Sequence, residues 1–152
     1  MIATKGRTLT ALLLSAAILA PAPGFAAAPL PMKQEAMANV DARAKQVQVM
    51  VDTVFSYAEP GFQEKRTGEY LTGILAKNGF KITRGVAGIP TAWTAEWGEG
   101  GPLIALGSDE DDLRGVSQIP GDPKVEPIVE GAPGHGEGHN SGIPLIIAAA
   151  LS

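Results

Sequence analysis

The chain of 152 residues has no cysteine, only two histidines and few aromatic side chains (two Trp, two Tyr and four Phe). Each shortage excludes something. Without cysteine no disulfide can staple the fold. With two histidines, a hydrolytic zinc centre, which needs about three protein ligands and an open position, must also draw on carboxylates. A two-metal centre needs more donors still. No basic cluster exists and the net charge is −4, which argues against nucleic acid as a partner. No serine-centred nucleophile motif and no Gly-rich phosphate loop after a strand can be found. Ser141 lies near His139, but no third group orients such a pair.

What is present begins with an export signal. Lys5 and Arg7 form a positive start, Leu9 to Ala20 is apolar, and Pro21 and Pro23 break it before the small residues Ala26, Ala27 and Ala28. This is the pattern of a cleavable secretory peptide over residues 1–27. The alternative, a membrane anchor, meets an apolar run shorter than the roughly 20 residues of a bilayer span. The expected mature chain, residues 28–152, is therefore exported to a bacterial periplasm or secreted, without a stable membrane anchor. Its ten basic and sixteen acidic residues give −6, and its length holds one modest core.

Along that chain, Met37, Val40, Ala44, Val47, Val51, Val54 and Ala58 recur at helical steps, predicting one amphipathic helix from about Gln34 to Tyr57. Pro60-Gly61 ends it. A second helix from about Gln63 to Asn78 should bury Tyr70, Leu71, Ile74 and Leu75, with Gly79 as its carboxyl cap. Lys81–Val86 and Thr91–Trp97 read as strands, the second with Trp93, Ala95 and Trp97 on one face. Gly98–Gly101 resembles a hairpin turn, and Leu103–Leu106 a short buried strand. Ser108–Gly138 reads as a long loop, uncommon unless functional or disordered. Ser141–Ser152 reads as a nearly all-apolar helix that must be buried against something, and little of the chain remains to cover it. The expectation is an α/β sandwich, left incomplete, with Asp109–Asp112 and His135–His139 beyond the carboxyl ends of strands.

Two constellations carry chemistry. In Gly134-His135-Gly136-Glu137-Gly138-His139, imidazoles and a carboxylate alternate with glycines. In an extended conformation all three side chains point one way, so the segment is either a ligand loop or a flexible polar loop. Asp109-Glu110-Asp111-Asp112 can supply a ligand, a carboxylate that orients one, or simply a solvated acidic turn. Glu59 and Glu64, in Ala58-Glu59-Pro60-Gly61-Phe62-Gln63-Glu64, fit a brace between two helices.

These residues together resemble a known family. Tyr57–Glu64 is similar to the Pro-Glu-Leu-x-Phe-x-Glu signature of M20-type metallopeptidases and amidohydrolases. Gly85–Ala92, Asp111–Gln118 and Gly131–Asn140 resemble successive stretches of its aminobenzoyl-glutamate hydrolase branch, the last two written there as Asp-Ala-Leu-Pro-Gly-Leu-Ser-Gln and Gly-Ala-Pro-Gly-His-Gly-Cys-Gly-His-Asn. The resemblance implies a partial zinc-peptidase-like α/β sandwich, ending before an inserted dimerisation domain and the second half of the catalytic domain. It also implies a hydrolase of amide bonds in N-acyl amino acids, dipeptides or aminobenzoyl-glutamate-like conjugates, a homodimer when complete, with two divalent ions, zinc or manganese.

Carried onto this chain, Glu137 stands where the family has a metal-bridging cysteine and His139 where it has a ligand histidine. Asp109 matches an orienting carboxylate, and His135 is a third candidate ligand. Arg114 replaces a proline that would fix one backbone angle. The family's general-base glutamate and its later ligands have no counterpart, so the 152-residue chain is expected to be inactive alone. The alternative is a non-catalytic periplasmic metal-binding pseudoenzyme fragment.

Overall fold

A computed structural model describes residues 30–152; the expected export signal lies outside the described residues. The predicted first helix is two: α1 (Pro31–Ala42) and α2 (Ala44–Tyr57). Between them Arg43 adopts φ −92°, ψ 0°, the bridge region rather than the helical one. Its guanidinium bonds to the Leu151 carbonyl at 3.0 Å, tying the break to the far end of the chain. The helical stripe is accordingly shorter than its periodicity implies. Met37 and Val40 on α1 are exposed, whereas Met50 and Val54 on α2 are buried.

Helix α3 (Lys65–Lys77) falls within its predicted span and buries Leu71 and Leu75 fully, with Tyr70 and Ile74 packed at the margin. It ends as expected. Gly79 takes φ +87°, and Gly79 N and Phe80 N donate to the carbonyls of Ala76 and Leu75, closing the last turn in a Schellman motif.

Strands β1 (Lys81–Arg84) and β2 (Trp93–Glu96) pair antiparallel, with Ile82 opposite Ala95 and Lys81 opposite Glu96. The hairpin connection is Gly85–Ala92, containing a short 3-10 turn at Val86–Gly88, and not Gly98–Gly101. Trp93 and Ala95 face the core, while Trp97, beyond the paired segment, is exposed. Leu103–Leu106 is no buried strand. No neighbouring strand pairs with it among the described residues, and Leu103 and Ile104 are 90% and 81% exposed.

Helix α4 (His139–Ala150) begins two residues earlier than predicted. It lays Ile143 and Ile147 against α2, so the core consists of Met50, Val54, Leu71, Leu75, Ile143 and Ile147. Among the described residues nothing covers Leu145 on its other side, which is exposed. Among the described residues the class is mixed α/β, helices together with one two-stranded antiparallel sheet that packs on α3. α3 touches both the hairpin and α2, and α2 carries α4.

Candidate metal centre

The site is assembled at the junction of α2 and α3. Ala58 leaves α2 in the left-handed conformation, φ +48°, which turns the chain so that the Glu59 carboxylate reaches forward to the start of α3. It accepts from Arg66 N at 3.0 Å and Thr67 N at 2.9 Å. These are two of the amide donors a helix start leaves unpaired, and the negative charge suits the positive end of the helix dipole. Glu64 is only 8% exposed and its Oε2 has no partner. Of the two expected bracing glutamates, Glu59 makes the brace.

The backbone of this junction also holds the acidic segment. The Glu59 carbonyl accepts from Asp112 N at 2.9 Å, in a parallel bridge between Pro60 and Asp112. One residue on, Leu113 exchanges two bonds with Gly134, N to O at 3.1 and 3.0 Å. Gly134 has to be glycine. A Cβ there would lie 2.5 Å from the Val116 carbonyl oxygen and 3.0 Å from Ser117 Cα, both backbone atoms, so the close approach leaves no room for a side chain. The acidic run and the histidine loop are thus held by these bridges, not by the ends of sheet strands. Because the run is extended here, neighbouring side chains point to opposite faces: Asp112 goes inward, whereas Asp111 stays half-exposed.

Inside, His135 meets Asp112. Their side chains are 2% and 0% exposed, with His135 Nδ1 against Asp112 Oδ1. Across the ring, Nε2 lies 3.2 Å from the Val54 carbonyl, one of the carbonyls left free at the end of α2. A carbonyl only accepts, so Nε2 carries a proton. Phe55 lies 5.8 Å away, centroid to centroid. Burial, with the Asp111 carboxylate adding to it, pushes Asp112 up to about 7, against the pull of His139. Burial also lowers His135, against the Val54 bond that favours its charged form. Both shifts disfavour charge at this buried contact.

Outside, His139 opens α4. Its Nδ1 lies 2.9 Å from the Asp111 carbonyl and 3.2 Å from Asp111 Oδ1. Its Nε2 is 3.3 Å from Glu137 Oε2. Burial works against its protonation, but the Asp111 carbonyl and the carboxylates of Asp111, Asp109 and Glu137 outweigh it and raise the ring's pKa. Asp109, the residue matched by resemblance to an orienting carboxylate, acts on the ring only through its charge; Asp111 is the acidic residue that touches it. Glu110 points elsewhere, accepting from Trp93 Nε1 at 3.2 Å. Burial pushes it up to about 7, with the charges of Glu64 and Glu59 adding to the effect and the Trp93 bond opposing it.

The histidine loop is not extended throughout. The chain bends at Gly136 and Glu137, so the period-two expectation fails: His135 is buried while Glu137 and His139 face outward. His139 and Glu137 meet; His135 joins Asp112 instead. Within the acidic run Asp112 was not distinguished from its neighbours, and the Val54 carbonyl went unrecognised in the sequence. The first was one acidic residue among four, and the second is a backbone group of an apolar residue with no signature at all.

The outward pair suits a divalent cation in kind. With Nδ1–H donated to the Asp111 carbonyl, the Nε2 lone pair faces a carboxylate oxygen, and two electron-rich atoms at that separation call for a proton or a cation between them. Fixing one ring nitrogen on a carbonyl is also how metal-ligating histidines are oriented. In number the donors fall short of a closed site. Among the described residues no group of three or more His, Asp or Glu side chains converges to hold a metal ion.

No protein-family model and no solved structure matches the chain. It is 37% identical over 103 residues to a component of the p-aminobenzoyl-glutamate hydrolase of Escherichia coli (strain K12), a match covering 68% of this chain and 21% of that protein. The chain thus spans about a fifth of the length of the curated relative it matches. Its relationship, on this identity, is to one of the subunits of a hydrolase.

Proposed function

We propose that this chain is the metal-holding part of an M20-type amidohydrolase, acting on amide bonds in N-acyl amino acids, dipeptides or aminobenzoyl-glutamate-like conjugates. One observation carries the reading: His139 Nε2 and Glu137 Oε2 converge at 3.3 Å while Nδ1 is tied to the Asp111 carbonyl. The relative is by name a hydrolase of an aminobenzoyl-glutamate, which supplies the substrate class. A divalent ion, zinc or manganese, would supply the Lewis acidity that polarises an amide carbonyl and makes water nucleophilic near neutral pH.

This chain's residues would do the rest of the holding. Glu137 and His139 are the ligands. Asp111 keeps the His139 tautomer that leaves Nε2 free, and the charges of Asp109 and Asp111 favour a cation. Further ligands, the general base, a second ion and a dimerisation domain belong to a longer polypeptide, exported and assembled with partner subunits. This chain by itself binds metal without turning over an amide.

The test is zinc binding by the full chain and by Glu137→Ala and His139→Ala. The expected result is a bound ion in the wild type that either substitution removes; undiminished zinc in both variants refutes the ligand assignment. The shortage of converging donors favours a second reading, a non-catalytic periplasmic metal-binding pseudoenzyme. Amide hydrolysis by the native product, abolished by Glu137→Ala, would sink that reading.

A further inference from the structure

We propose that His135 is a positioning residue and not a metal ligand. With Asp112 it forms a buried strut, anchored on the Val54 carbonyl, that sets where Glu137 and His139 stand. The part concerning metal rests on the function proposed above.

Both ring nitrogens of His135 are turned inside the protein: Nε2 bonds to Val54 O, and Nδ1 is packed against Asp112 Oδ1 in a close buried contact that lacks hydrogen-bond geometry. No lone pair faces solvent, and a cation would have to displace a helix carbonyl or a buried carboxylate to reach one. The imidazole joins three parts of the fold: the end of α2, the acidic segment and the histidine loop.

The positioning follows from adjacency. The acidic segment and the loop are held together at Leu113 and Gly134, then at Asp112 and His135, then at Asp111 and His139. The first two are consecutive, the second with both side chains buried; the third is the outward one. Asp111 is the residue next to Asp112, so any slip of Asp112 against His135 moves the Asp111 carbonyl from under His139 Nδ1. Between His135 and His139 the chain has little freedom to absorb such a slip. Gly136 N bonds to the Gly134 carbonyl at 3.0 Å, and a Cβ on Gly136 would meet Leu113 Cδ1 at 3.0 Å. The strut thereby selects the tautomer that leaves His139 Nε2 facing Glu137.

The experiment compares the full chain with Asp112→Asn and His135→Gln, which keep size and polarity. Two readouts are taken: the imidazole nitrogen shifts of His139 and His135 in metal-free protein, and cobalt(II) titration followed by its visible absorption. In the wild type, at a pH high enough to leave its ring neutral, His139 should show one fixed tautomer protonated at Nδ1, and His135 a slowly exchanging Nε2 proton. In both variants the His139 rings should revert to the mixed tautomers of a free imidazole. Cobalt affinity should fall about 10- to 100-fold, the size of effect seen when groups that orient ligands are removed, with the number of bound ions unchanged.

His139 shifts unaltered in folded variants would overturn the strut. So would a fast-exchanging His135 Nε2 proton in the wild type, a measurement that needs no variant to fold. Loss of a bound ion, or of a nitrogen ligand from the cobalt spectrum, in His135→Gln but not in Asp112→Asn would make His135 a ligand. A wild-type chain that takes up no cobalt refutes the metal reading alone, and the metal-free shifts then decide the strut.

Discussion

Gly134→Ala is the most direct perturbation of the geometry on which the site depends. The added Cβ would sit 2.5 Å from the Val116 oxygen, 2.9 Å from its carbonyl carbon and 3.0 Å from Ser117 Cα. All three are backbone atoms, so no side-chain rotation relieves the clash. The two segments must separate, which breaks the paired Leu113–Gly134 hydrogen bonds at 3.1 and 3.0 Å. Two such bonds contribute about 2 kcal/mol together. The alanine also restricts the unfolded chain, returning about 0.5–1 kcal/mol. The net loss is about 1–1.5 kcal/mol in stability. Gly73, inside α3, is the internal control. A Cβ there meets nothing within 4 Å, so Gly73→Ala should stabilise by about 0.5–1 kcal/mol through helix propensity. Urea unfolding of the three full chains measures both. The opposite signs are the signature, and a Gly134→Ala chain as stable as wild type would refute the close approach.

Removal of the forward brace by Glu59→Ala should cost about 1 kcal/mol, as loss of a helix amino-terminal cap does, with Glu59→Gln recovering part of it; urea midpoints check this. Glu110 has a folded pKa of about 7 against an ordinary value of 4.5, so between those values the folded chain holds more protons than the unfolded one. Its contribution to stability therefore falls as pH rises from about 4.5 to about 7. Glu110→Gln should flatten that part of the stability–pH curve, and an unchanged slope from pH 5 to pH 7 would contradict the burial argument. Glu137→Ala and His139→Ala should each abolish zinc uptake, measured by metal analysis of the dialysed chain.

Much of the secondary structure was legible in the residues because its causes are local. Helix α3 is marked by its apolar spacing and by Gly79 at its end, and the polar Gly-rich loop by a composition no regular element tolerates. The break at Arg43 was not legible, since its side chain is held by the carbonyl of Leu151, 108 residues away. Nor was the hairpin, because Gly85–Ala92 and Gly98–Gly101 both carry turn residues and only the pairing of Ile82 with Ala95 chooses between them.

The same division holds at the site. The sequence by itself determined which chemistry is available: two imidazoles, a neighbouring carboxylate and an acidic run, without cysteine. Only the tertiary structure decided how those groups are shared. Extended backbone at Asp111–Asp112 sends one carboxylate out and the other in. The bend at Gly136–Glu137 then separates His135, buried on Asp112 and Val54, from His139, turned outward toward Glu137. Residue spacing constrains side chains only while the backbone stays regular. Here the loop's path follows from Gly134 lying against Val116 and from the Leu113–Gly134 bridge, contacts between residues far apart in the chain.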